Sequence, residues 1–165
     1  MNRPARTMAI TAAGVLTADV GSKVWASARL DEPVAIGGSL SLQLAHNPGV
    51  AFGLGQSLPT AALLATSIVL CVGIAVAGAR GLVAPPVAAG LILGGAVGNL
   101  LDRLTGGSVV DMIHLTWWPT FNLADVAICT GALLVVLWSF RSERTATTQP
   151  SVSGEPEPEA DRPRG

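Results

Sequence analysis

The chain has 165 residues, 50% of them hydrophobic and only 13% charged, with a formal net charge of −1. Together with a positive mean hydropathy, this composition excludes an ordinary soluble domain and points to a membrane protein. The basic residues are scattered, which excludes a nucleic-acid footprint.

A helix needs about 20 mostly apolar residues to cross the hydrocarbon core. Four segments qualify, residues 8–28, 59–79, 82–102 and 122–140. The predicted fold is an all-α membrane protein with four transmembrane helices. Arg3 and Arg6 precede the first span, Arg80 lies in the turn between the second and third, and Arg141 and Arg144 follow the fourth. The positive-inside rule then sets both termini in the cytoplasm and the longer loops, 29–58 and 103–121, outside.

The first span has two readings. Arg3, Arg6 and the A-x-A-like triplet Ala26-Ser27-Ala28 also fit a cleaved secretory leader. Asp19 and Lys23 interrupt the apolar run and favour an uncleaved span, because their i, i+4 spacing sets an ion pair on one helix face.

In the first long loop, "GSLSLQLAH" places Leu40, Leu42 and Leu44 on one face of a half-buried strand, packed either on the membrane surface or over the helix bundle. "NPGVAFGLG", residues 47–55, then calls for tight turns. The expected element is a small extracytoplasmic β platform.

The second span carries no charge, and Cys71 within it, like Cys129 in the fourth, reads as a small buried hydrophobe. No metal-ligand spacing accompanies either cysteine, so no metal or cofactor is expected. In the third span Gly90, Gly94 and Gly98 recur every four residues, a spacing that lets two helix backbones approach, and Asp102 continues the stripe. Asn99 and Asp102 are neighbours on the helix surface and need partners there. Arg103 either snorkels to the interface or joins a polar network with them.

Between residues 33 and 142 the only acidic side chains are Asp102, Asp111 and Asp125. Asn122 is a good N-cap for the fourth helix, and Asp125 three residues on completes an imitation of a capping box. Asp111, flanked by Val109, Val110, Met112 and Ile113, has no such local role. A short return of the chain brings Asp111 and Asp125 to similar depth. Two carboxylates in a poorly hydrated site share one proton, as an aspartic protease requires. A non-catalytic polar cluster fits the same pattern, and His46 and His114 do not decide between them. A transporter would need a polar path that the second and fourth spans do not supply, and a purely structural subunit would leave the clustered polar motifs unexplained.

After Arg144 the segment 145–165, rich in Pro, Ser, Thr and Glu, cannot offset its ordering entropy and is expected to be a disordered cytoplasmic tail. The chain thus divides into a four-span domain, residues 1–144, and that tail.

Four motifs in order, "DVGSK", "NPGVAFG", "GGAVGNLLDRLTGGSVVD" and "FNLAD", make residues 8–140 resemble the bacterial lipoprotein signal peptidases, the type II signal peptidases. The resemblance implies an aspartic endopeptidase of the cytoplasmic membrane that cuts prolipoproteins before a lipid-modified cysteine. Lipidated prolipoproteins and membrane lipids would be its partners. It implies Asp111 and Asp125 as the catalytic dyad. Asn47, Asn99, Asp102, Arg103 and Asn122 match positions that shape the site, and Asp19 and Lys23 a supporting pair. Met112 stands where the family pattern has an aromatic residue.

Overall fold

The computed structural model describes residues 2–49 and 59–147. Asn2 opens helix α1 (Arg3–Arg29), its side-chain oxygen accepting from the Ala5 amide at 3.0 Å, with Pro4 in the first turn. Helix α2 spans Thr60–Ala79 and α3 Pro86–Gly106. The third helix starts four residues later than its apolar pattern predicts, because Pro85 disfavours helical backbone at Ala84 while Pro86 is tolerated at the first helical position. Gly107, at φ 73°, ends α3 by donating its amide to the Arg103 carbonyl. Helix α4 runs Leu123–Thr147, so the first three residues of the expected tail are helical. The rest of the tail lies outside the described residues, as do residues 50–58 with most of the "NPGVAFGLG" turn.

Among the described residues, three helices are long and apolar enough to cross a membrane: α2, α3 and Leu123–Arg141 of α4. Helix α1, although 27 residues long, does not qualify by composition. It spends its length on Asp19, Lys23 and small or hydroxyl residues that pack on its neighbours. In α2 and in that part of α4 only 17% of the apolar window is buried, so most of each surface is left facing outward, as lipid contact requires.

The β platform expected beside the helices is a four-stranded antiparallel sheet in the order β1 (Val34–Gly37), β2 (Leu40–Asn47), β3 (Val109–Leu115) and β4 (Trp118–Phe121). The expected platform is thus real but twice as large, since half of it comes from a segment whose apolar run showed no alternation. Leu42 and Leu44 pack with Ile113 against buried Ala26, Leu30 and Met112, so they lie over the end of α1. Met112 fills this irregular space with a flexible side chain.

Register decides which side chains reach one another. Leu42 pairs with Ile113 and Ala45 with Asp111, so three residue steps on β2 match two on β3. This bulge changes the parity of β2, putting Asn47, opposite Val109, on the same face as Asp111. Without the extra residue, Asn47 would point to the opposite face.

Candidate active site

The site rests on the contact between α1 and α3. A Cβ on Gly90 would lie 2.6 Å from Thr11 Cβ, and one on Gly94 2.6 Å from the Ala12 carbonyl oxygen. One turn further along, the Asp19 carboxylate occupies the space of a Cβ on Gly98. The glycine stripe therefore brings α1 close enough for Lys23 to enter α3's polar end. Lys23, 4% exposed, sets its ammonium 2.7 Å from Asp19 Oδ2, 2.8 Å from Asp102 Oδ2 and 3.0 Å from Asn99 Oδ1. Three donors meet three acceptors, which satisfies a buried ammonium.

The same two carboxylates tie the bundle to β3 and α4. Asp19 Oδ1 accepts from the Ala124 amide at 2.9 Å, in the first turn of α4. Asp102 Oδ2 also accepts from the Val110 amide at 3.1 Å, which pins β3 to the end of α3.

Asn122 is fully buried and forms a capping box with Asp125. The Asp125 amide donates to Asn122 Oδ1 at 2.9 Å, and the Asn122 amide donates to Asp125 Oδ2 at 3.4 Å. Its side-chain nitrogen is thereby turned away from α4. That nitrogen lies 2.7 Å from Asp111 Oδ1, 3.1 Å from Asn99 Oδ1 and 3.2 Å from the Val110 carbonyl. Asn99 in turn donates to Asp125 Oδ1 at 2.8 Å, and Asn47 donates to Asp111 Oδ2 at 3.3 Å. The cap and the polar network are one structure, so the local role of Asp125 does not compete with a role beside Asp111.

Asp111 is 2% exposed, whereas Asp125 is half-buried. Burial, reinforced by the nearby charge of Asp125, pushes the Asp111 carboxyl up to about 6, against the opposing hydrogen bonds from Asn47 and Asn122. The Arg103 guanidinium lies within electrostatic reach of Asp125, Asp102 and Asp111. It donates to the Asn99 carbonyl at 3.2 Å and to the Gly49 carbonyl at 2.8 Å. It therefore turns inward, as the network reading of Arg103 expects, and ties the segment after β2 to α3.

All nine residues singled out in the sequence, Asp19, Lys23, Asn47, Asn99, Asp102, Arg103, Asp111, Asn122 and Asp125, belong to this connected array. Missing from the sequence reading are the backbone groups of Gly49, Val110 and Ala124, which carry no residue-type signal. The contact of Gly98 with Asp19 was foreshadowed only by the glycine spacing. His46 is exposed, and His114 pairs with Thr120 at 3.2 Å within the sheet. Cys71 and Cys129 are free thiols on α2 and α4; Cys71 is buried as expected, whereas Cys129 is exposed on the outward face of α4 and corrects that expectation.

Comparison with known proteins places this arrangement in context. A solved bacterial membrane enzyme, 21% identical, shares the fold with a TM-score of 0.77 over 87% of this chain and 93% of its own. Lipoprotein signal peptidase of Mycobacterium avium is 40% identical over 153 residues, covering 84% of this chain and 82% of that protein. The protein of that name from Mycolicibacterium smegmatis is 38% identical over 169 residues, covering 93% of this chain and 71% of that protein. The pattern of the family described as Signal peptidase (SPase) II matches residues 11–141, from the glycine-matched face of α1 to the end of the apolar part of α4, and the chain belongs to that family.

Proposed function

We propose that this chain removes the signal peptide from diacylglyceryl-modified prolipoproteins, cutting before the lipidated cysteine, with Asp111 and Asp125 as the catalytic dyad. The substrate class rests on the family and on relatives called lipoprotein signal peptidase. The observation that carries the dyad is the single side chain of Asn122, which donates to Asp111 and caps α4 at Asp125. One carboxylate takes a proton from water as the water oxygen bonds to the scissile carbonyl carbon, and the protonated partner gives its proton to the carbonyl oxygen. On collapse the C–N bond breaks, the first acid protonates the leaving nitrogen and the second recovers its proton. The chemistry calls for no metal or cofactor.

The supporting roles follow from the geometry. Asn99 and Asn122 orient the carboxylates, Asn47 closes the sheet side of Asp111, and Arg103 ties Gly49, just after β2, to α3. Asp19, Lys23 and Asp102 hold α1 and β3 to α3. In the membrane, α1 is the fourth crossing. Exposed Ile10, Val20, Val24 and Trp25 give it a lipid face, while its polar pair turns inward. Both termini are cytoplasmic, on the basis of the flanking arginines, and the sheet and dyad sit at the outer boundary of the bacterial cytoplasmic membrane.

Purified protein incubated with a lipidated prolipoprotein peptide tests this reading. Asp111→Asn and Asp125→Asn are each expected to abolish cleavage while remaining folded in detergent. Substantial turnover by either variant would remove the dyad from the mechanism.

A further inference from the structure

Asn99 reaches Asp125 with its amide nitrogen, not its carbonyl. Two neighbours enforce that orientation. Lys23 is a pure donor, so the atom of Asn99 that faces it at 3.0 Å must be the carbonyl oxygen. Asn122 donates to the same oxygen, but its two amide hydrogens serve three acceptors within 3.2 Å. It cannot hold Asn99 alone. An amide hydrogen pointed at a carboxylate favours the ionised form of that carboxylate, and a carbonyl pointed at it favours the protonated form.

On the dyad reading above, we propose that Lys23 is a positioning residue which, acting through Asn99, makes Asp125 the ionised proton acceptor and leaves the shared proton on Asp111. Water then loses its proton to Asp125, and Asp111 supplies the proton to the scissile carbonyl oxygen. The half-exposed position of Asp125 fits a group that must meet water; Asp111 also accepts amide bonds from Asn47 and Asn122, which favour its charged form, but its 2% exposure outweighs them and fits the neutral partner. The charged and titratable groups around the pair are Asp19 and Lys23 from α1 and Asp102 and Arg103 from α3. Of these, Lys23 alone grips the amide that touches Asp125 through its side-chain oxygen, since Arg103 holds only the Asn99 main-chain carbonyl. Without Lys23, Asn99 can turn its carbonyl to Asp125, and the proton moves to Asp125.

Infrared spectroscopy of the full-length protein, carrying ¹³C-carboxyl aspartate in detergent at pH 5, reads the proton's position. Single Asp→Asn changes assign the protonated carboxyl band. In the wild type that band should vanish in Asp111→Asn and persist in Asp125→Asn. In Lys23→Met it should vanish with Asp125→Asn instead, and kcat on a lipidated peptide should fall about 100-fold with KM changed less than about 3-fold. Should Lys23→Met not fold, Asn99→Leu removes the same donor while keeping Lys23 paired with Asp19 and Asp102, and the same shift is expected. A band that belongs to Asp125 in the wild type overturns the proposal. So does a band that stays on Asp111 in the folded variant, or a loss of activity carried by KM. Cleavage by either single Asp→Asn enzyme would instead bring down the dyad itself, whereas two inactive enzymes with an unmoved band bring down only the role of Lys23.

Discussion

Asp111 stands among asparagine donors on a strand that is covered on both faces, and its titration makes stability depend on pH. Its carboxyl is raised from 3.8 to about 6, chiefly by burial and then by the charge of Asp125. The unfolded chain therefore loses this proton first as pH rises. The contribution of Asp111 to stability is intact below about pH 4, falls between about pH 4 and 6, and stays lowered above, by up to about 3 kcal/mol. Asp111→Asn cannot ionise, so its stability relative to wild type should shift in its favour between pH 4 and pH 7.5. Chemical unfolding in detergent at the two pH values measures this, and an unchanged difference would show that Asp111 titrates as an ordinary aspartate. Asp125→Asn removes the like charge and should move the Asp111 step below 6, as followed by ¹³C carboxyl shifts. At this scale the sequence was informative because acids are scarce in apolar surroundings. Asp111 stood out by lacking a local excuse, and the capping box at Asn122 and Asp125 was readable from spacing alone.

Helices α1 and α3 meet along glycines whose missing side chains are occupied by the partner. Gly98→Ala would drive a methyl group into the Asp19 carboxylate and, through it, strain the Lys23 pair. Gly94→Ala would press on the α1 backbone at Ala12. Each should cost about 1–3 kcal/mol. Gly14→Ala and Gly73→Ala, which meet nothing within 4 Å, should be neutral or slightly stabilising. Thermal unfolding in detergent compares the four variants, and comparable losses at all four positions would mean that helix propensity, not close packing, explains the stripe. The α2, α3 and α4 spans were legible from apolar length, whereas α1 was legible only in part, because its polar residues serve neighbours that a one-dimensional reading does not see. The sheet was half legible. Leu40, Leu42 and Leu44 alternate, but residues 109–113 are apolar around Asp111 because both faces of β3 are covered, which erases the alternation. The bulge that puts Asn47 beside Asp111 leaves no mark in the composition at all.

Over the whole molecule, apolar surface surrounds a polar centre that lies at one end of the bundle, under the sheet. Trp117 and Trp118 sit at the β3–β4 turn with ring centroids 5.8 Å apart, the first 70% and the second 44% exposed, as suits an interfacial anchor. A substrate held in the same bilayer by two acyl chains gains about 0.8 kcal/mol per buried methylene, part of which already holds it in the membrane. On the dyad reading, the remainder would align the scissile bond with Asp111 and Asp125. A lipidated prolipoprotein should therefore be cut, and its unlipidated counterpart, reconstituted at equal density, cut poorly or not at all. Equal rates would leave a general membrane protease. The bond from the Ala124 amide to Asp19 has a different kind of consequence, because it closes the array across 105 residues of chain. During synthesis α1 is made first and α4 last. Until α4 arrives, Asp19 lacks that partner and Asn99 and Asp111 lack Asn122, so a half-made chain holds one aspartate without the other. On the dyad reading, a chain whose α4 is not yet made has Asp111 without Asp125 and should be inactive, so the site is complete only when the last helix joins the first.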